Sequence, residues 1–270
     1  MGLMASLTRL AQISILMAVA ATSVGAQPMP AADAKLAAID LAKSFETRSA
    51  WSFSATQGPP VDGLFGDQDK IPGDIHLCLR EGRAAACDPQ LDNRIGGAPD
   101  NDFYSKPHYL RRAQVVHTAS GRPVLLVQVA GAPSGDGNQG VFTQALVYRR
   151  GSDQFSRVYS HVTGTNNNQE VRYIEAGPLK GDIVSAEPAE KAPFGFWVTV
   201  NVFTSAETYK QVLRYRSATI YGDGNPLSVI DSEMPNIERR LGLWRSGQPT
   251  PLPAGSCPKP HMIGMELWCR

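Results

Sequence analysis

The alternation of apolar and polar positions predicts β-strands along most of this chain. Trp51-Ser-Phe53-Ser-Ala55 and Ile75-His-Leu77-Cys-Leu79 place apolar side chains two apart, the period that gathers them on one strand face. Between them, the Gly-, Pro- and Asp-rich run from Gln57 to Gly73 reads as a loop. The polar, turn-rich stretch 81–106 reads as a longer one. From Tyr109 to about Ile230 the pattern is uniform. Apolar and β-branched runs at 109–118, 122–130, 140–149, 154–163, 169–176, 182–187, 194–204, 209–221 and 227–231 are separated by Gly, Pro, Asn and Asp. Val124 to Val129 and Phe196 to Phe203 are read as apolar on both pleat faces, as central strands covered on both sides are. The other runs alternate, as antiparallel strands with one wet face do.

Helical spacing is confined to the two ends. Ala31 to Thr47 is Ala-rich, with Leu41 and Phe45 four apart and Ala34 and Ala38 extending that face, so a helix is expected within 27–50. A second helix is expected after Asp231 or Ser232 as cap, with Pro235 in its first turn and Ile237 and Leu241 four apart. A Pro-rich tail from Gly247 to Pro260 follows it, within a closing region 232–270.

Inside the strand-rich region 51–231, Thr143-Gln-Ala-Leu-Val-Tyr-Arg149 resembles Lys210-Gln-Val-Leu-Arg-Tyr-Arg216. Their neighbours correspond roughly, which suggests an internal repeat between 119–163 and 194–231. In each copy Gln, Leu and Tyr share one strand face. The expected fold is therefore mainly β: an antiparallel sandwich or partly closed barrel of two β-meander units, with a helix at each end. A small or incomplete β-propeller is the alternative, since tandem four-stranded units would give the same repeat.

The first 26 residues add a destination. Arg9 closes a short basic segment, Leu10 to Val24 carries no charge, and Val24-Gly25-Ala26 supplies the small residues that precede a signal-peptidase cut. The apolar run is shorter than the about 20 residues a spanning helix needs, and Gln12, Ser14, Thr22 and Ser23 interrupt it. The expectation is a cleaved leader and a soluble periplasmic or secreted bacterial protein, with no stable membrane insertion. No cysteine follows the small residues, so it is not expected to be a lipoprotein. An even set of four cysteines agrees with export. Cys78 with Cys87 and Cys257 with Cys269 are the favoured bridges, each closing a short loop that contains Gly or Pro. Neither pair has the C-x₂-C spacing of a zinc knuckle.

Charge and motifs narrow the partners. Without Arg9 the 26 basic residues become 25, against 25 acidic ones, a formal net charge of zero. The arginine doublets form no basic stripe, so neither nucleic acid nor an anionic membrane is suggested. No nucleophile elbow, P-loop or dinucleotide fingerprint is present, so no catalytic residue is assigned and no cofactor is implied. His76, His108, His117, His161 and His261 show no ligand spacing; His117 and His161 lie near strand ends where they could meet across the meander. Gly-Asp-Gly-Asn occurs at Asp136/Asn138 and again at Asp223/Asn225. Two oxygens so spaced begin a calcium cage, but neither copy continues into a binding loop, and tight turns use the same residues. These six are weak binding candidates, and no metal is implied. Glu170 with Glu175, or Glu187 with Glu190, would suit glycoside hydrolysis only if they flanked a cleft. Trp51, Trp197, Trp244 and Trp268 could stack on sugars, although Trp197 sits in an apolar strand and reads as core. The favoured function is a noncatalytic exported module that binds a protein or an envelope glycan. The rivals are an envelope-acting hydrolase with carboxylates or histidine in an inter-sheet cleft, and a structural envelope component.

Overall fold

In the computed structural model, residues 34–270 are described apart from 65, 85, 97–102, 192, 253–254 and 256. The expected leader, residues 1–26, lies outside them. The chain opens with β1 (Ala34–Asp40), a short helix α1 (Leu41–Phe45), β2 (Trp51–Gln57), the small hairpin β3 (Val61–Gly63) and β4 (Gly66–Ile71), and β5 (Ile75–Glu81). After a 3-10 turn at Phe103–Ser105 come β6 (Tyr109–His117), β7 (Pro123–Ala130), β8 (Val141–Arg149) and β9 (Gln154–Thr163). Then follow β10 (Glu170–Tyr173), β11 (Ile183–Pro188), β12 (Gly195–Phe203) and β13 (Tyr209–Ile220). Helix α2 (Val229–Arg240) and the hairpin β14 (Pro260–Ile263) with β15 (Glu266–Cys269) end the chain.

Three antiparallel sheets carry the fold, in the orders β1-β2-β5, β6-β7-β8-β9 and β10-β11-β12-β13. The two four-stranded sheets are the two meanders expected from the pattern. Neither closes on itself, because their first and last strands do not pair. The sheets stack through three apolar clusters. Phe53, Leu77 and Leu79 of the first sheet meet Leu125, Val127, Leu146 and Phe155 of the second. The opposite face of the second sheet, with Val124, Leu126, Ala145 and Val147, meets Tyr173 and Ile183 of the third. The far face of the third sheet, with Phe196, Val198 and Val200, is covered by Val229, Ile230 and Ile237 of α2. β7 is thus apolar on both faces because both are covered, whereas β12, expected to match it, has only one covered face, with Trp197, Thr199 and Asn201 half-buried on the other.

The expected N-terminal helix is largely a strand. Residues 34–40 pair with β2, and only Leu41–Phe45 is helical, capped by the Asp40 carboxylate accepting from Ala42 N–H at 2.9 Å. A register shift between Lys35 and Ala37 sets Leu36, Ala37 and Ile39 against the core. That irregularity breaks the period of two and hides the strand behind good helix formers. The Gln57–Gly73 loop contains the β3–β4 hairpin, and the tail closes in the β14–β15 hairpin. The last expected strand, 227–231, is instead the entry to α2. Ser228 is the cap, and Pro235 lies inside the helix rather than in its first turn. Of the two similar runs, Thr143–Arg149 lies in β8, third strand of the second sheet, and Lys210–Arg216 in β13, last strand of the third; strand β9 follows one and helix α2 the other. Both bridges form as expected, Cys78–Cys87 and Cys257–Cys269. No helix among the described residues is long and apolar enough to cross a membrane.

Candidate functional site

A groove of about 860 Å³ opens beside the third sheet. One wall is the connection from β10 to β11, residues 174–182. The other is α2 with the tail that follows it, 243–252. The first wall is held tight: Ile174 N–H donates to Asp182 O at 2.9 Å, Gly181 N–H to Ile174 O at 2.8 Å, and Lys180 N–H to Gly177 O at 3.1 Å. Gly181 sits at φ 96°, and a Cβ there would come within 2.6 Å of Thr118 Cα, so the position needs glycine. The second wall is set by helical spacing. Asp231, Met234 and Glu238 recur at three and four residues and share the face of α2 that lines the groove. Leu243 and Trp244 turn back over it, both backbone N–H groups donating to Glu238 O. Trp244 is buried, and its indole Nε1 donates to Pro249 O at 2.9 Å, which folds the proline-rich tail into the wall. Leu252, at the rim, is 75% exposed.

Charge in the groove is almost fully internally matched. Arg172 donates to Asp231 Oδ1 at 2.6 Å and to Glu170 Oε2 at 2.7 Å, while Glu170 Oε1 accepts from Ile230 N–H at 2.9 Å at the start of α2. Burial alone lowers the Arg172 pKa, but Glu170 and Asp231 outweigh it and hold the guanidinium above its ordinary value. Arg112 pairs with Glu175. Glu170 and Glu175 are therefore each engaged by a different arginine. Glu238 stands apart: it is 6% exposed and has no hydrogen-bond or ion-pair partner for its carboxylate among the described residues. Burial holds its carboxyl above the usual glutamate value.

The histidines lie elsewhere, and they do not meet. β6 and β9 are the two edges of the second sheet, with two strands between them, a separation of about 14 Å. His117 pairs with Pro123. His161 is in line with Thr143, Gln128 and Arg112, toward the other end of the sheet. His117 lines a second, polar cavity of about 350 Å³ with Ser44, Tyr148, Arg122 and Arg150. His161 pairs through Nε2 with Glu187 of β11, tying the second sheet to the third. That hydrogen bond keeps the Glu187 carboxyl below its ordinary value. Glu190 pairs instead with Arg216. The His161–Glu187 pair lines neither the groove nor the polar cavity. Trp197, read as core, is half-buried beneath the Arg214 guanidinium, 4.6 Å from the ring centroid.

Both Gly-Asp-Gly-Asn segments work as turns. Asp136 Oδ1 accepts from Ser134 Oγ and, at 3.1 Å, from Asn138 N–H; Asn138 Oδ1 accepts from the backbone N–H groups of Thr165 and Asn166. Asp223 Oδ1 accepts from Asn225 N–H at 2.8 Å, and Asn225 Nδ2 donates to Ser232 Oγ and Leu267 O, fastening α2 to β15. Among the described residues, the grouping of three ligand-type side chains is His76, Cys78 and Cys87, in which both sulfurs belong to the disulfide. Of the groove residues, sequence reading singled out Glu175 and Trp244 but missed Arg172 and Glu238. The signals were present: apolar Leu243, Trp244 and Leu252 in an otherwise polar tail, and carboxylates at helical spacing on α2. Comparison with known proteins finds no matching family model, no matching curated protein and no matching solved structure.

Proposed function

We propose that this chain is a noncatalytic exported binding module that takes a small, largely apolar ligand in the groove between the β10–β11 connection and α2. The observation that carries the reading is the groove itself. Its volume falls in the range of small-molecule sites, and Ile174, Leu179, Met234, Leu243, Trp244 and Leu252 supply apolar walls. Its two arginines are committed to carboxylates, which leaves few polar groups to hold a glycan. Export is part of the same proposal. It rests on the leader sequence and on two disulfides, which persist in oxidising compartments. The experiment is titration of the mature protein with the neutral apolar fluorophore N-phenyl-1-naphthylamine. We expect saturable binding, weakened at least about tenfold by the double replacement Leu243→Ser and Leu252→Ser, since each change removes partly exposed apolar wall. Absence of saturable binding, or the same affinity in the double variant, would overturn the reading.

A further inference from the structure

Resting on the groove as a ligand site, we infer that its ligand is an amphipathic amine, an apolar body bearing one protonated nitrogen that Glu238 receives. The lining contains two cations, Arg112 and Arg172, and three carboxylates, Glu175, Asp231 and Glu238. Arg112 is matched by Glu175, and Arg172 by Asp231 together with Glu170. With Glu170 counted, four carboxylates face two guanidinium groups, and Glu238 is the one that pairs with neither. That side chain is more than nine-tenths buried, lies on the groove-facing side of α2 with Asp231 and Met234, and is answered by no donor among the described residues.

A largely buried glutamate whose carboxylate reaches only the groove, with no donor from the described residues, contrasts with another buried acid of the same helix. Glu233, one turn earlier on α2, is fully buried and accepts five hydrogen bonds, from Tyr215 Oη, Ala218 N, Thr219 N, Thr219 Oγ1 and Asn236 Nδ2. The contrast places Glu238 outside the structural network and toward the ligand. An ammonium group supplies both the missing charge and the missing donors, while Met234, Leu243 and Trp244 beside it accept a hydrocarbon or aromatic body. A ligand anion would meet an extra negative charge, and its natural partners, the two arginines, are already occupied.

The test uses three probes with one body: 4-phenylbutylamine, 4-phenylbutanol and 4-phenylbutyrate, titrated into the mature protein by calorimetry. The amine should bind at least about tenfold more tightly than the alcohol, and the carboxylate most weakly. Glu238→Gln should bring the amine down to the affinity of the alcohol and leave the alcohol unchanged. Equal binding of amine and alcohol to the parent protein, or an amine preference that survives Glu238→Gln, would overturn the amine inference while leaving the groove as an apolar site. Binding of none of the three would overturn both, so the two failures are told apart.

Discussion

Asp182 shows how a single residue sets a pH dependence in this fold. It follows the tight connection that walls the groove, is 9% exposed, and receives the Phe203 N–H at 3.2 Å. Burial pushes its carboxyl up from 3.8 to about 6, against the smaller opposing effect of that hydrogen bond. A carboxyl with a raised folded-state pKa stabilises the fold most when protonated in both states, below about pH 4. The contribution is lost as pH rises toward and through about 6, up to about 3 kcal/mol for a shift of this size. Asn keeps the acceptor for Phe203 and carries no charge. Asp182→Asn should therefore raise unfolding stability at pH 7 by about 1–3 kcal/mol and leave it near the parent value at pH 4; urea unfolding at the two pH values reads both. A loss of stability at pH 7 would show that the ionised carboxylate is a net stabiliser. At this scale the sequence was only partly legible. Turn residues such as Asp136 and Asn225 act on atoms within a few positions and can be recognised locally. Pairs such as His161–Glu187 and Arg172–Asp231 join residues 26 and 59 positions apart, and their meeting depends on how sheets stack.

Elements were legible where one period governed them and obscured where two structures shared a run. The meander strands show alternation or full apolarity because each has a defined pair of faces. β1 did not, since its register shift and alanine content imitate a helix. At the C-terminus, Val229 and Ile230 look like a strand end, yet Ser228 caps a helix whose apolar residues Ile230 and Ile237, two turns apart, cover the third sheet. Glu233 joins that helix to β13. Its Oε1 accepts from the N–H groups of Ala218 at 2.8 Å and Thr219 at 2.9 Å, and its Oε2 from Tyr215 Oη at 2.8 Å. Glu233→Ala would leave two backbone donors and a buried phenol without an acceptor, at a cost of about 3–5 kcal/mol. Denaturant unfolding should show that loss with an unchanged slope. A cost below about 1 kcal/mol, within the range of ordinary surface changes, would mean that α2 is held by apolar packing alone.

Across the whole molecule, the three apolar clusters are unequal, and the middle one is the weakest joint. Among the described residues, seventeen buried ones hold the first sheet to the second and thirteen join the third sheet to α2, but seven lie between the second and third sheets. Polar ties supplement that interface. Glu207, in the turn from β12 to β13, accepts from Arg149 Nη1 at 2.7 Å and also pairs with Arg122; Tyr159 meets Tyr209 edge-on; His161 pairs with Glu187. The chain crosses between the two halves through residues 164–169 alone, between β9 and β10. A molecule so built should open in two cooperative units, residues 34–163 and 170–270, before it unfolds completely. Native-state hydrogen exchange in mild denaturant should place the amides of β11 and β12 in a lower-stability class than those of β7 and β8. Glu207→Ala, which removes the carboxylate that both arginines pair with, should widen that gap by about 1 kcal/mol by weakening the joint while leaving the interior of the first unit intact. One common opening free energy for both sets of strands would show instead that the small middle cluster couples the sheets as strongly as the two larger ones.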